Sequence, residues 1–93
     1  MTYEEITEQA TKTINEFMVR ARESDDKYSA NLFANAAWGA KIFWRDLAVK
    51  MWSEDRGLNS NIILKKFNEQ DVIFDKLIDR ESVPELRGSL KNE

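Results

Sequence analysis

Residues 30–52, ANLFANAAWGAKIFWRDLAVKMW, decide the fold. They hold all three tryptophans and two of the five phenylalanines, and no proline interrupts them. The stretch therefore reads as one helix, starting near Lys27 and ending around Ser53. At about 100° per residue its apolar side chains fall on two faces rather than one. Leu32, Ala36, Ala40, Phe43, Leu47 and Met51 share one face, widened by Phe33 and Trp44. Trp38, Ile42, Val49 and Trp52 share the other, with Arg45 among them. A helix apolar on two sides is either the centre of a bundle or has one side turned to a partner. The first face, with Phe43 and Leu47 foremost, is expected to form the core.

The flanking segments are helical too. Thr2-Tyr3-Glu4-Glu5 has the spacing of a capping box, in which the threonine hydroxyl and the glutamate carboxylate satisfy each other's backbone N–H. Ile6, Ala10, Ile14, Phe17, Met18 and Ala21 then recur on one stripe, which predicts a helix to about Glu23. Ser24-Asp25-Asp26 breaks it and supplies a cap for the next helix. A link this short between long helices predicts an antiparallel hairpin. Gly39 in mid-helix costs about 1 kcal/mol relative to alanine, which points to a close backbone approach or a bend.

Beyond the hairpin, Gly57 suits a helix stop and Asn59-Ser60-Asn61 a new start. Ile63, Leu64, Phe67, Phe74, Leu77 and Ile78 form a stripe, with Ile62, Val72 and Ile73 outside it. Asn68-Glu69-Gln70-Asp71 interrupts the apolar pattern and predicts two segments, about 60–67 and 69–80, against the alternative of one helix. Ser82-Val83-Pro84-Glu85 caps a last turn, and 88–93 reads as a frayed tail. The whole, residues 1–93, is expected to be a single all-α domain: a small bundle built on a long N-terminal hairpin and closed by a C-terminal helical segment. The predicted core is Ile14, Phe17, Leu32, Ala36, Phe43, Leu47, Phe67, Phe74 and Ile78.

Composition narrows the chemistry. There is no cysteine and no histidine among the 93 residues. Thiolate nucleophiles, sulfur-ligated metals and the commonest neutral-pH base are thereby excluded. A net charge of −3 disfavours nucleic-acid binding that rests on phosphate neutralisation. No run is long and uncharged enough to span a bilayer, and MTYEEITEQ does not read as a secretory signal, so a cytoplasmic location is expected.

Three constellations carry functional readings. Glu4-Glu5-x-x-Glu8, followed by Glu23-x-x-Asp26, resembles the paired acidic signature of the MazG-like all-α nucleotide pyrophosphatases. That resemblance implies carboxylates holding magnesium between helices. On one unbroken helix, however, Glu8 and Glu23 lie about 22 Å apart, whereas magnesium ligands converge at about 2 Å from the ion. Asp71, Asp75 and Asp79 recur every four residues as an acidic stripe, which reads as a solvent face partly neutralised by Lys76 and Arg80. Trp38, Lys41, Ile42, Arg45, Val49 and Trp52 form the third set. Within it, positions 38, 42, 45, 49 and 52 alternate four and three, a heptad seam that suits helix packing.

The expectation is a non-enzymatic interaction module, a regulator, inhibitor or adaptor. It would form a homo-oligomer or dock on a protein target through the tryptophan-bearing side of the central helix, without cofactor or metal. The alternative is a sensor or sequestering protein that holds a small anionic, nucleotide-like ligand against the same tryptophans and Arg45.

Overall fold

The computed structural model describes residues 1–54 and 60–87. The described part is all-α: α1 (Tyr3–Glu23), α2 (Lys27–Glu54), α3 (Ser60–Leu77) and a closing 3-10 turn, Arg80–Ser82. The predicted helix stop at Gly57, the cap residue Asn59 and the tail 88–93 lie outside the described residues.

Local chemistry sets the ends of the hairpin. The Thr2 hydroxyl accepts from the Glu5 N–H at 3.1 Å, and the Glu5 carboxylate accepts from the Thr2 N–H at 2.9 Å. The capping box is therefore complete. At the far end of α1 the Ser24 hydroxyl donates to the Arg20 carbonyl at 2.8 Å. Asp26 then caps α2, accepting from the Ser29 N–H at 2.7 Å and the Ser29 hydroxyl at 3.0 Å. The backbone N–H bonds that Glu5 and Asp26 receive hold both carboxyls below the ordinary carboxylate range.

The three helices run up, down and up. Thr7 meets Trp44 and Phe17 meets Phe33, so α1 and α2 are antiparallel. Phe67 lies against Tyr3 and Trp52 at one end, and Ser82 is bonded by Arg22 at the other, so α3 returns alongside α1. The molecule measures 48 × 25 × 14 Å with a radius of gyration of 15.3 Å. A compact chain of this length has a radius of gyration of about 12 Å. The long central helix is the cause: its 28 residues extend about 42 Å.

Trp44 is the centre of the core. It is 1% exposed, packs edge-on to Phe74 at 5.0 Å and to Phe67 at 6.4 Å, and its indole N–H donates to the Thr7 hydroxyl at 2.9 Å. Ile6, Ile14 and Met18 of α1 belong to the same buried cluster, as do Val83 and Leu86 after α3. The other buried apolar residues of α2 are small: Ala30, Ala34, Ala37 and Ala48. Ala10 and Ala21 of α1 are buried with them. Methyl groups at a helix seam let the backbones approach closely, and the larger side chains are then displaced to the flanks.

That seam corrects the expected core face of α2. Leu32 is 54% exposed and Phe43 is 65% exposed, so neither is core; Ala36 and Leu47 are only partly buried. The helix is rotated so that alanines and Trp44 face inward. Ile14, Phe67 and Phe74 are buried as expected, while Phe17 and Ile78 pack at the margin.

Two other expectations are revised. α3 is one uninterrupted helix from Ser60 to Leu77. Asn68 and Glu69 are exposed, and Gln70 and Asp71 half-buried, so the polar run lies along the side of the helix without ending it. Gly39 has nothing within 4 Å of the place a Cβ would occupy. Among the described residues no close approach explains it.

Candidate functional site

The six residues singled out on α2 are divided by the fold. Trp38, Ile42 and Val49 stay on the outside, with Trp38 55% exposed. Trp52 turns toward α3, its ring 6.3 Å from that of Phe67 and nearly perpendicular to it. Lys41 is buried and Arg45 half-buried.

Lys41 has a specific environment. Its ammonium donates to the Asp75 carboxylate at 2.7 Å and lies 3.5 Å from Asp71, both on α3. Arg45 stands 3.9 Å from the same Asp71 oxygen. That oxygen is buried without a hydrogen-bond partner, so charge proximity alone compensates it. The Lys41 ammonium also sits 5.8 Å above the Trp38 ring, a cation–π contact at the edge of the ion-pair cluster. Burial by itself would lower the Lys41 pKa. The Asp75 hydrogen bond and the two carboxylate charges outweigh it and hold the pKa above the ordinary lysine value.

The acidic stripe of α3 thus has a structural use that was not foreseen. Asp71 and Asp75 answer the cations of α2, and Asp79 caps the 3-10 turn by accepting from the Glu81 N–H at 3.0 Å. The signal was present as two separate rows, acids on α3 and bases on α2, which pair once the helices are laid antiparallel.

This arrangement also bears on anion binding. The cations that a phosphate would need are already opposed by carboxylates. Trp38 and Trp52, fourteen residues apart on one helix, are separated by about 21 Å along its axis. They cannot close on a single nucleotide. At the other end of the chemistry, α1 is unbroken from Tyr3 to Glu23, which puts Glu8 and Glu23 towards opposite ends of one rod. Among the described residues no group of three or more carboxylates is arranged to hold a metal ion.

The largest feature left is the outward side of α2. Tyr28, Leu32, Trp38, Ile42, Phe43 and Val49 are all exposed there. Exposed aliphatics also occur on α3, at Ile62, Leu64, Val72 and Ile73, but Lys65, Glu69 and Lys76 lie between them. From Tyr28 to Trp44, by contrast, Lys41 is the only charged residue on α2, and it points inward. Phe43 also forms the rim of a groove of about 250 Å³ between α1 and α2, lined by Ile6, Ala10, Ala40 and Leu47. Among the described residues no helix is long and apolar enough to cross a membrane. Comparison with known proteins yields no match: no family model, no curated protein and no solved structure resembles this chain.

Proposed function

We propose that the protein is a non-enzymatic interaction module that binds protein through the outward side of α2. The observation that carries this reading is the exposure of Leu32, Trp38, Ile42, Phe43 and Val49 together on one helix. Monomers seldom leave an apolar patch above a few hundred Å² in water. Tryptophan is enriched where binding energy concentrates, and the rings here are held on a rigid helix. The surface differs from the one read in the sequence: Lys41, Arg45 and Trp52 drop out of it, and Leu32 and Phe43 join it. A regulator, inhibitor or adaptor located in the cytoplasm fits such a surface.

A photo-cross-linking side chain placed at Phe43, with a control at exposed Glu16 of α1, tests the reading in the cells that make the protein. Adducts of defined mass are expected at Phe43 and not at Glu16. Equal labelling at both sites, or none at either, would refute it.

A further inference from the structure

We infer that the occupant of this face is a second copy of the same chain, packed antiparallel on α2 about a two-fold axis between Ala40 and Lys41. The inference rests on the interaction reading above and names its partner. The outermost positions of α2 are Tyr28, Leu32, Asn35, Gly39, Ile42, Asp46, Val49 and Ser53, which repeat at four and three throughout. Such a seam is the geometry of paired helices. It is also self-complementary. Laid against itself in reverse, it sets Leu32 against Val49, Gly39 against Ile42, Asn35 against Asp46 and Tyr28 against Ser53. Apolar thus meets apolar and polar meets polar, as an isologous interface requires.

Three features of the monomer find their explanation in this register. Gly39 has open space beside it, and in the pair the Ile42 side chain of the other copy occupies that space. Asp46 and Arg80 have no ion-pair partner among the described residues. Yet Arg80 donates to Asn31 and, at 3.4 Å, to Asn35. Because Asn35 faces Asp46 of the other copy, each Arg80 meets a carboxylate across the axis, twice over by symmetry. The third feature is area. Half-exposed side chains of this size present on the order of 600 Å² per copy. Two copies then bring together about 1,200 Å², the lower edge of what specific interfaces bury. Trp38 and Phe43 flank the seam on its two sides and complete the apolar rim.

Sedimentation of the purified chain up to about 100 µM gives the stoichiometry, and a charge exchange gives the register. A dimer is expected, weakened about tenfold or more by Asp46→Arg alone and by Arg80→Asp alone. Affinity returns when both changes are in one chain. Asp46 is exposed, so its variant keeps the fold, which circular dichroism checks. Because the chain has no cysteine, single spin labels at Lys27→Cys or Lys50→Cys report orientation directly. Antiparallel pairing places the two Lys27 labels about 40 Å apart and the two Lys50 labels about 28 Å apart. A monomer at the highest concentration, near-equal label distances, or no rescue by the exchange would each overturn the inference. A monomer that still cross-links to a different protein at Phe43 overturns only the second copy; loss of the Phe43 adducts overturns the interaction reading itself.

Discussion

α1 and α2 are neighbours of similar regularity, and they differ in how many faces they commit. α1 has one apolar stripe, Ile6, Ala10, Ile14, Met18 and Ala21, and all five residues are buried. Its opposite side is polar, its first turn is acidic and its last turn basic. α2 has apolar residues all the way round, with no acidic residue in its first turn and no basic residue in its last. A helix of the first kind tells its neighbours which way to face. A helix of the second kind can be rotated with little loss of apolar burial, so its orientation is set by shape, and whatever is not buried becomes surface.

The sharpest way to break this comparison is to test which aromatic on α2 belongs to the core. Trp44→Ala removes a side chain that is 1% exposed and touches Tyr3, Phe67 and Phe74. It should cost about 3–5 kcal/mol in urea unfolding, a large fraction of the stability expected for so small a domain. Phe43→Ala, at the adjacent position but facing out, should change stability by less than about 1 kcal/mol. The reverse ranking would mean that α2 is rotated toward the face the sequence favours.

The contrast between the helices also marks how far the sequence could be read. The capping box at Thr2, the break at Ser24, a cap for α2 among residues 24–26, the span of α2 and, except for exposed Leu64, the stripe of α3 followed from local chemistry or simple periodicity. The rotation of α2 did not, because Leu32 and Phe43 outweigh Ala30, Ala34 and Ala37 on any scale that ranks residues by size. Close packing of two helices rewards small side chains at the contact, a pairwise property that a single helix does not display. Lys41 was legible as a cation beside tryptophan, but its burial depends on Asp71 and Asp75 thirty or more positions away.

Lys41 gives the next largest effect, and it probes the one charge buried on the otherwise apolar inner side of α2. Lys41→Met keeps the volume but leaves Asp71 with only the more distant Arg45. The loss should be about 1–3 kcal/mol, at the low end because Asp75 is half in water. Adding Asp71→Leu should recover most of it, since the isolated charge is then gone. The pH dependence has a definite sign. The Lys41 pKa is raised in the folded chain, so the pair contributes fully below the ordinary lysine value of 10.5. That contribution disappears as pH rises through the higher folded value. Wild type should therefore lose more stability than Lys41→Met between neutral pH and the alkaline range above 10.5. Parallel losses in the two proteins would show that the ion pair adds nothing.

Gly39 gives the smallest effect and the finest test of the difference between α1 and α2, since α1 contains no glycine at all. In the isolated chain a methyl group at position 39 meets nothing within 4 Å. Gly39→Ala should then gain only the helix propensity, about 0.5–1 kcal/mol, by restricting the unfolded chain. For a domain of this length the melting temperature should rise by roughly 4–8 °C per kcal/mol, measured where the chain is monomeric. Raising the concentration separates the two states. If Ile42 of a second copy lies over Gly39, the methyl group intrudes at the axis, and the gain should shrink or reverse as the dimer forms. A gain that is the same at all concentrations would leave Gly39 without a role in pairing. A loss even in the monomer would show that α2 needs the glycine for its own backbone, and the outward face would then have to be explained without it.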